Sequence, residues 1–75
     1  MIVPNRCGFP GAPTRCKGPI ATYIDDPHHT PMLAAGGHIV FQGKVFLCGW
    51  HADLVCMTMA TRGVLITTKD IAPNG

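Results

Sequence analysis

Short apolar runs separated by turn residues make up most of this chain. Residues 20–24 (Ile-Ala-Thr-Tyr-Ile) are rich in β-branched and aromatic side chains and end at two aspartates and a proline, so they predict a strand. Residues 1–19 carry a proline or a glycine every few positions, which interrupts any β ladder and predicts a loop. Residues 28–31 predict a second turn, and the apolar run at 32–35 is too short to assign before two glycines end it.

The middle of the chain carries the clearest pattern. Residues 38–41 and 44–48 are two β-prone runs joined by Gln42-Gly43, whose glycine can adopt the positive φ of a two-residue hairpin turn. We therefore predict a tight hairpin here. Its arms are apolar at consecutive rather than alternating positions, which indicates that both faces are covered, and a partner protein is one candidate for the cover.

The segment that follows permits two interpretations. Asp53 can cap a short helix, but residues 55–59 also fit a strand ahead of a turn at 61–63, and residues 64–68 (Val-Leu-Ile-Thr-Thr) are strongly β-prone. We predict a second hairpin, with a single helical turn as the alternative, and an irregular tail at 71–75. No long linker divides the chain, so the pattern predicts one all-β domain over residues 1–75.

The small size calls for a source of stability beyond an apolar core. A chain of 75 residues buries only about 60% of its unfolded surface, and such a core rarely supplies more than about 3–5 kcal/mol. The 9 glycines and 7 prolines favour a turn-rich β fold over a helical bundle. Only 13% of the residues are charged, which fits either a surface partly covered by another protein or a small disulfide-rich domain.

The same composition argues against several functions. The 6 lysines and arginines are scattered and the net charge is +2, so no basic patch for nucleic acid is expected. Hydrophobic residues make up 47% of the chain, which argues against disorder. No apolar run approaches the ~20 residues of a membrane span. The first six residues lack the basic start and apolar stretch of a secretion signal, so any export is expected to use another route.

The 4 cysteines and 4 histidines are the candidate chemistry. The spacings Cys7-x8-Cys16, Cys48-x2-His51 and Cys48-x7-Cys56 do not form the paired Cys-x2-Cys knuckles of a zinc ribbon. The nearest to a knuckle is the Cys-Gly-Trp-His run at 48–51, whose glycine lets the thiolate and the imidazole converge on one ion. A metal site, two disulfides in one of three connectivities, and free thiols all remain open.

Catalysis is the least favoured interpretation. Cys48 and His51 are a possible nucleophile and base, but we predict that so short a chain does not enclose a substrate pocket of a few hundred cubic ångströms. The sequence has no phosphate-binding glycine loop before a lysine and no Ser-His-Asp arrangement. We therefore predict that the protein is not an enzyme.

Three segments share an order of glycine, short apolar strand and tight turn. They are residues 16–22 (Cys-Lys-Gly-Pro-Ile-Ala-Thr), 37–44 (Gly-His-Ile-Val-Phe-Gln-Gly-Lys) and 60–68, which contains Arg-Gly-Val-Leu-Ile-Thr. This order resembles the PAAR-repeat family, whose pattern runs His-Gly-Gly-x-Ile-x-Thr-Gly-Ser and then Thr-Val-Phe-Ile-Asn-Gly-Lys. Where that family has Pro-Ala-Ala-Arg, this chain has Val-Phe-Leu-Cys at 45–48, and residues 24–36 are an insertion.

The resemblance implies a structural role. PAAR-repeat proteins are small cones of β-hairpins that cap the trimeric β-helical spike of contractile injection systems and contractile phage tails. The implied function is to help puncture the target cell envelope, with one copy per spike, in a virion tail baseplate or a bacterial secretion apparatus. No nucleic acid and no small-molecule substrate are expected as partners. The alternative is a free-standing small β module, metal-binding or disulfide-stabilised, that acts as an adaptor or assembly protein.

The resemblance also implies one structural metal ion, zinc or iron, held by histidine and cysteine side chains from separate loops. By residue type and loop position, we predict that the ligands are Cys16, His29, His51 and Cys56. Only Cys16 lies on a position that matches the motif of the family, and the other three are inferred from this sequence. The side chains held in reserve are Cys7, His28 and Cys48.

Overall fold

A three-stranded antiparallel sheet with one long helix packed on it forms the fold. The computed structural model describes residues 2–11, 16 and 18–71. The elements in chain order are β1 (Ile20–Ile24), α1 (Thr30–Ala35), β2 (Val45–Cys48), α2 (Gly49–Ala60) and β3 (Lys69–Asp70). The strand order is β2-β1-β3 and both pairings are antiparallel, while α2 contacts β1 and β2. Parts of the predicted loop at 1–19 and of the predicted tail at 71–75 lie outside the described residues, namely positions 1, 12–15, 17 and 72–75.

Strand β2 lies between β1 and the N-terminal segment. On one side it pairs with β1, from Ile24 opposite Val45 to Ile20 opposite Cys48. On its other side, Gly8 N donates a hydrogen bond to Phe46 O at 2.6 Å. A Cβ at Gly8 would lie only 2.9 Å from the Ile39 carbonyl oxygen, so a glycine is needed for this close approach. The result is that the segment carrying Cys7 runs along the edge of β2.

The turn at Gln42-Gly43 is confirmed, whereas the hairpin around it is reduced to one bridge. Gln42 has φ 52 and Gly43 has φ 76, the two positive values of a type I′ turn, and Phe41 bridges Lys44. Residues 38–40 do not continue the ladder, because Ile39 N donates instead to Gly8 O. Strand β2 takes β1, predicted correctly at 20–24, as its partner.

The predicted second hairpin was wrong, and with it the purely all-β class and the cone of hairpins. Residues 49–60 form the 12-residue helix α2, and residues 64–68 form neither helix nor strand and have no ladder partner among the described residues. The cause lies at Cys48, which is extended (φ −69, ψ 163) and caps the helix by accepting a hydrogen bond from His51 N. The apolar residues of α2 are distributed on all sides of the helix, so their order along the sequence fits neither a period of two nor one of 3.6.

The core lies between the sheet and α2, and it contains two cysteines. The buried cluster consists of Cys7, Ile24, Leu33, Val45, Leu47, Cys48, Ala52 and Val55. His51 is also buried, with 2% of its surface exposed. Buried polar groups require partners, and the partners of the His51 ring are cysteine sulfurs. Among the described residues, no helix has the length and apolar character needed to cross a membrane.

Candidate metal centre

Two of the candidate metal ligands come from the junction of β2 and α2. Cys48 ends the strand and His51 lies in the first turn of the helix. His51 N donates to Cys48 Sγ at 3.4 Å, and Cys48 Sγ lies 3.3 Å from His51 Nδ1. Free N–H groups at a helix N-terminus and the positive end of its dipole favour a negatively charged sulfur. The junction therefore orients a thiolate and an imidazole toward the same point.

A third side chain comes from the N-terminal segment. Because Gly8 bonds to Phe46, Cys7 lies beside the end of β2, where Cys48 N donates to Cys7 Sγ at 3.4 Å. Cys7 Sγ lies 3.4 Å from His51 Nδ1. This contact joins positions 44 residues apart, and 5% of Cys7 is exposed. The backbone N–H donated to its sulfur is the kind of outer contact that supports a metal-bound thiolate.

Cys16, the fourth side chain, precedes β1. Gly18 adopts φ 125 between Cys16 and the strand, a conformation that favours glycine in this turn. Cys16 Sγ lies 3.4 Å from His51 Nδ1. Desolvation, followed by the nearby thiols of Cys48 and Cys7, raises the pKa of Cys16 to about 11. In the metal-free site the proton therefore stays on this sulfur at neutral pH, and a bound cation would displace it.

The spacing of the four candidate ligand atoms is compatible with a tetrahedral centre. Cys7 Sγ, Cys16 Sγ, Cys48 Sγ and His51 Nδ1 all lie within 4.8 Å of one another. Bond lengths of about 2.3 Å to sulfur and about 2.0 Å to nitrogen give tetrahedral edges of about 3.5 Å for S···N and about 3.8 Å for S···S. The three S···Nδ1 distances of 3.3 to 3.4 Å agree with this to within a few tenths of an ångström. The residues present fit a four-coordinate metal ion.

The imidazole is held by aromatic rings. Phe9 stacks on His51 with ring centroids 4.2 Å apart and an interplanar angle of 8°. Trp50 meets His51 edge-on at 4.9 Å. Burial lowers the pKa of His51, which favours the neutral imidazole that binds metals. Three thiols and one imidazole complete a shell of four protein ligands, which is typical of structural rather than catalytic sites.

Of the four predicted ligands, the structure brings two together and leaves two apart. Cys16 and His51 lie in the cluster. His29 lies before α1, where its Nδ1 is 2.8 Å from an Asp26 carboxylate oxygen. Cys56 lies outside the cluster and donates to Ile66 O at 3.7 Å, and burial raises the pKa of its thiol.

The places of His29 and Cys56 are taken by Cys7 and Cys48, both held in reserve in the sequence prediction. The knuckle-like run at 48–51 contained the necessary signal for Cys48, since it already paired this residue with His51. Cys7 had no local signal, because only the contact between Gly8 and β2 brings it to the site. All four cysteines are free thiols rather than disulfides.

A separate apolar groove of about 320 Å³ lies between the N-terminal segment, residues 39–41 and Phe46 of β2. The groove is half open to solvent, so the prediction that the chain does not enclose a substrate pocket stays a prediction. The groove is lined by Pro4, Asn5, Arg6, Gly8, Ile39, Val40, Phe41 and Phe46. Among these residues there is no cysteine, histidine, serine or carboxylate to act as nucleophile or base.

No protein-family model matches this chain, and no curated protein or solved structure shows significant similarity to it. The chemistry of the site is therefore argued from its own geometry, and the resemblance to PAAR-repeat proteins stays a prediction.

Proposed function

We propose that this protein is a small zinc-stabilised module that acts by binding another macromolecule, without catalysing a reaction. The observation that carries the proposal is the convergence of Cys7, Cys16, Cys48 and His51 on one point beside the core. Thiolate and imidazole ligands in a tetrahedral arrangement suit zinc better than harder cations. A complete shell of protein ligands leaves no position for a substrate, which supports a structural role for the ion.

The ion would supply the stability that the small core lacks. Its ligands come from three separate segments, and Cys7 and Cys48 are 41 residues apart in sequence. Because the ligand positions are far apart in the unfolded chain, binding would close long loops and couple metal affinity to folding. Apparent zinc-binding free energies of about 10–16 kcal/mol exceed the roughly 3–5 kcal/mol expected from such a core.

Exposed apolar side chains support a binding role. Ile2, Ile39, Met57 and Leu65 expose 65%, 55%, 68% and 84% of their surface. Charged residues account for only 13% of the chain. A folded protein with so few charges and several exposed large apolar side chains gains by covering them with a partner.

The role of a spike tip is a second candidate. It is supported by the low fraction of charged residues and by the Cys/His cluster, both of which the resemblance to PAAR-repeat proteins implies. In this form of the proposal, the partner is a trimeric β-helical spike and the protein helps to puncture a cell envelope. Co-expression with such a spike distinguishes it from an adaptor or assembly module, because a tip would co-purify at three spike chains to one.

Metal analysis of protein purified without a nickel column tests the proposal. We expect one zinc ion per chain, in keeping with the single cluster among the described residues. Cys48→Ser should abolish stoichiometric binding, whereas Cys56→Ser, the same substitution at a cysteine of α2 outside the cluster, should leave it intact. A folded protein that contains no metal, or equal metal loss in both variants, would contradict the proposal.

A further inference from the structure

The four candidate ligands of the metal centre differ in how far solvent reaches them. Cys7, Cys48 and His51 expose only 5%, 1% and 2% of their surface. Cys16 is only partly buried. An oxidant dissolved in water therefore meets the sulfur of Cys16 before it meets the two other sulfurs of the cluster. Oxidation of cysteine follows this kind of exposure, together with the thiolate character of the sulfur.

The sulfur of Cys48 is the one best placed to react with an oxidised Cys16. Cys16 stands shortly before β1, and Ile20 at the start of β1 lies opposite Cys48 at the end of β2. The segment that carries Cys7 runs along the other edge of β2, one strand further from β1. Cys48 Sγ also accepts a hydrogen bond from His51 N at the start of α2, where the helix dipole stabilises a thiolate.

The two sulfurs are close enough to bond without a change in the sheet pairing. Their Sγ atoms lie within 4.8 Å of each other, so a shift of a few ångströms brings them to the disulfide length of about 2.0 Å. Both cysteines are free thiols. A disulfide here would join the segment before β1 to the end of β2, two parts of the chain that the ladder already holds together.

We propose that Cys16 and Cys48 form a peroxide-sensitive switch, in which a disulfide between them releases the zinc ion. This inference rests on the proposed function, because a bound zinc ion holds both sulfurs as thiolates. Cys7 and His51 alone would remain as ligands after oxidation, which is half of the shell that a structural zinc site requires. Oxidation would thereby remove the ion that stabilises the module.

The oxidation consumes one molecule of hydrogen peroxide. The Cys16 thiolate attacks one peroxide oxygen, the O–O bond breaks, and the products are a sulfenic acid and hydroxide. The Cys48 thiolate then attacks the sulfenic sulfur, the S–O bond breaks, and a second hydroxide leaves as the disulfide forms. Two protons convert the hydroxides to water. The two sulfurs together lose the two electrons that the peroxide gains.

Peroxide treatment of the zinc-loaded full chain tests the proposal. We expect one zinc ion to be released for each disulfide formed, as reported by a chromophoric zinc indicator, and to be bound again after a dithiol reductant is added. Peptide mass spectrometry should identify a disulfide between Cys16 and Cys48. Dimedone, which traps sulfenic acids, should label Cys16 when it is present during the oxidation.

Zinc content is measured before peroxide is added, which separates the two proposals. A folded chain that holds no zinc contradicts the proposed function. A zinc-loaded chain that keeps its zinc in excess peroxide overturns only the switch. A disulfide between another pair of cysteines, or dimedone labelling of Cys7 or Cys48 in place of Cys16, also overturns it.

Two variants separate Cys16 from the remaining thiols. Cys16→His keeps four ligand side chains but removes the accessible sulfur, so zinc release by peroxide should slow at least about tenfold. Cys56→Ser is the matched control, because Cys56 is also a partly buried free thiol but lies outside the cluster, and its rate should equal that of the wild type. Equal rates in Cys16→His and the wild type would overturn the proposal. If Cys16→His bound no zinc, the disulfide and the dimedone label of the wild type would decide.

Discussion

The turns at residues 48–51 and 26–29 each place an acceptor side chain and a histidine three positions apart at the start of a helix. In the first, Cys48 Sγ accepts from His51 N and lies 3.3 Å from His51 Nδ1. In the second, the Asp26 carboxylate accepts a hydrogen bond from His28 N, and one of its oxygens lies 2.8 Å from His29 Nδ1. Helix α2 follows the first turn, and α1 follows the second.

Their surroundings differ. Cys48 and His51 expose only 1% and 2% of their surface, and Cys7 and Cys16 join them from other parts of the chain. The side chains of His29 and Asp26 are 24% and 38% exposed, and no further ligand group joins them among the described residues. A local pair of this type therefore becomes a metal centre only where the fold brings distant ligands to it. The predictions below test this difference, beginning with the largest effect.

Removal of the metal should have the largest effect. The structure places the Cys/His cluster beside the buried cluster, so a strong chelator should unfold the chain rather than only empty a surface site. The expected loss exceeds the stability of about 3–5 kcal/mol that a core of this size supplies. Far-UV circular dichroism should report the loss of α2 and its recovery when zinc is added back under reducing conditions. An unchanged spectrum after complete metal removal would contradict the prediction.

Replacement of one histidine from each turn is the direct comparison. His51→Ala should weaken zinc binding by more than about 100-fold, beyond the effect usual for outer contacts, because a ligand is lost. His29→Ala should leave zinc affinity unchanged, since the side chain faces Asp26 at the surface. Competition titration with a chromophoric chelator measures both affinities. Equal losses in the two variants would mean that the two turns do not differ as described.

The comparison also explains which parts of the site were predictable from sequence. The pair at 48–51 was visible because its members are close in sequence and share a glycine-containing turn. Cys16 entered the prediction through the PAAR-repeat resemblance. Cys7 has no local pattern, since its position follows from the Gly8 contact with β2. His29 was chosen for its residue type, but it pairs locally with Asp26, three positions earlier, and no distant ligand joins it among the described residues.

The fold shows the same division between local and distant information. Strand β1 and the Gln42-Gly43 turn were predicted because residue type alone favours them. Helix α2 was missed because its apolar residues lie on all sides, so its pattern resembles that of a buried strand. The side chain that fixes its start is Cys48, which is not among the residue types usually preferred at an N-cap.

Phe9 supports the buried histidine and has no counterpart in the exposed turn. Its ring stacks on His51 at 4.2 Å, so Phe9→Ala should lower zinc affinity about tenfold by loosening the imidazole. Phe41→Ala, which removes an aromatic ring from the groove and not from the site, is the matched control. The readout is the zinc competition titration together with thermal unfolding. If both variants lose zinc affinity equally, the effect would come from general destabilisation instead.

Proton release should accompany zinc binding at the buried turn. At pH 7 the Cys16 thiol, whose pKa is raised to about 11, is protonated in the metal-free protein and must lose its proton to bind. Zinc affinity should therefore fall as the pH falls, and the proton release from Cys16 should vanish as the pH rises through about 11. Calorimetry in two buffers of different ionisation enthalpy measures the released protons. Cys16→His should release fewer and Cys56→Ser the same number, whereas zero release by the wild type would contradict the assignment.

The smallest effect is expected at the exposed turn. The backbone hydrogen bond from His28 lowers the pKa of Asp26, with the neighbouring histidines acting in the same direction. A lowered pKa stabilises the folded state above the ordinary carboxyl pKa of about 3.9, and that stability is lost as the pH falls through the folded value. Asp26→Asn should therefore lower Tm by less than about 4 °C at pH 6–7, and the difference should shrink in acid.

Asp53→Asn, at an exposed carboxylate on α2, is the matched control and should leave Tm unchanged. Differential scanning calorimetry of the zinc-loaded variants from pH 3 to 7 measures both. Zinc content should stay constant in Asp26→Asn, because the carboxylate lies outside the metal cluster. If this variant lost zinc, or if its Tm fell as far as that of the metal-free protein, the exposed turn would be part of the metal centre after all. The partial exposure of the Asp26 and His29 side chains argues instead that solvent screens their interaction, so their pairing adds little.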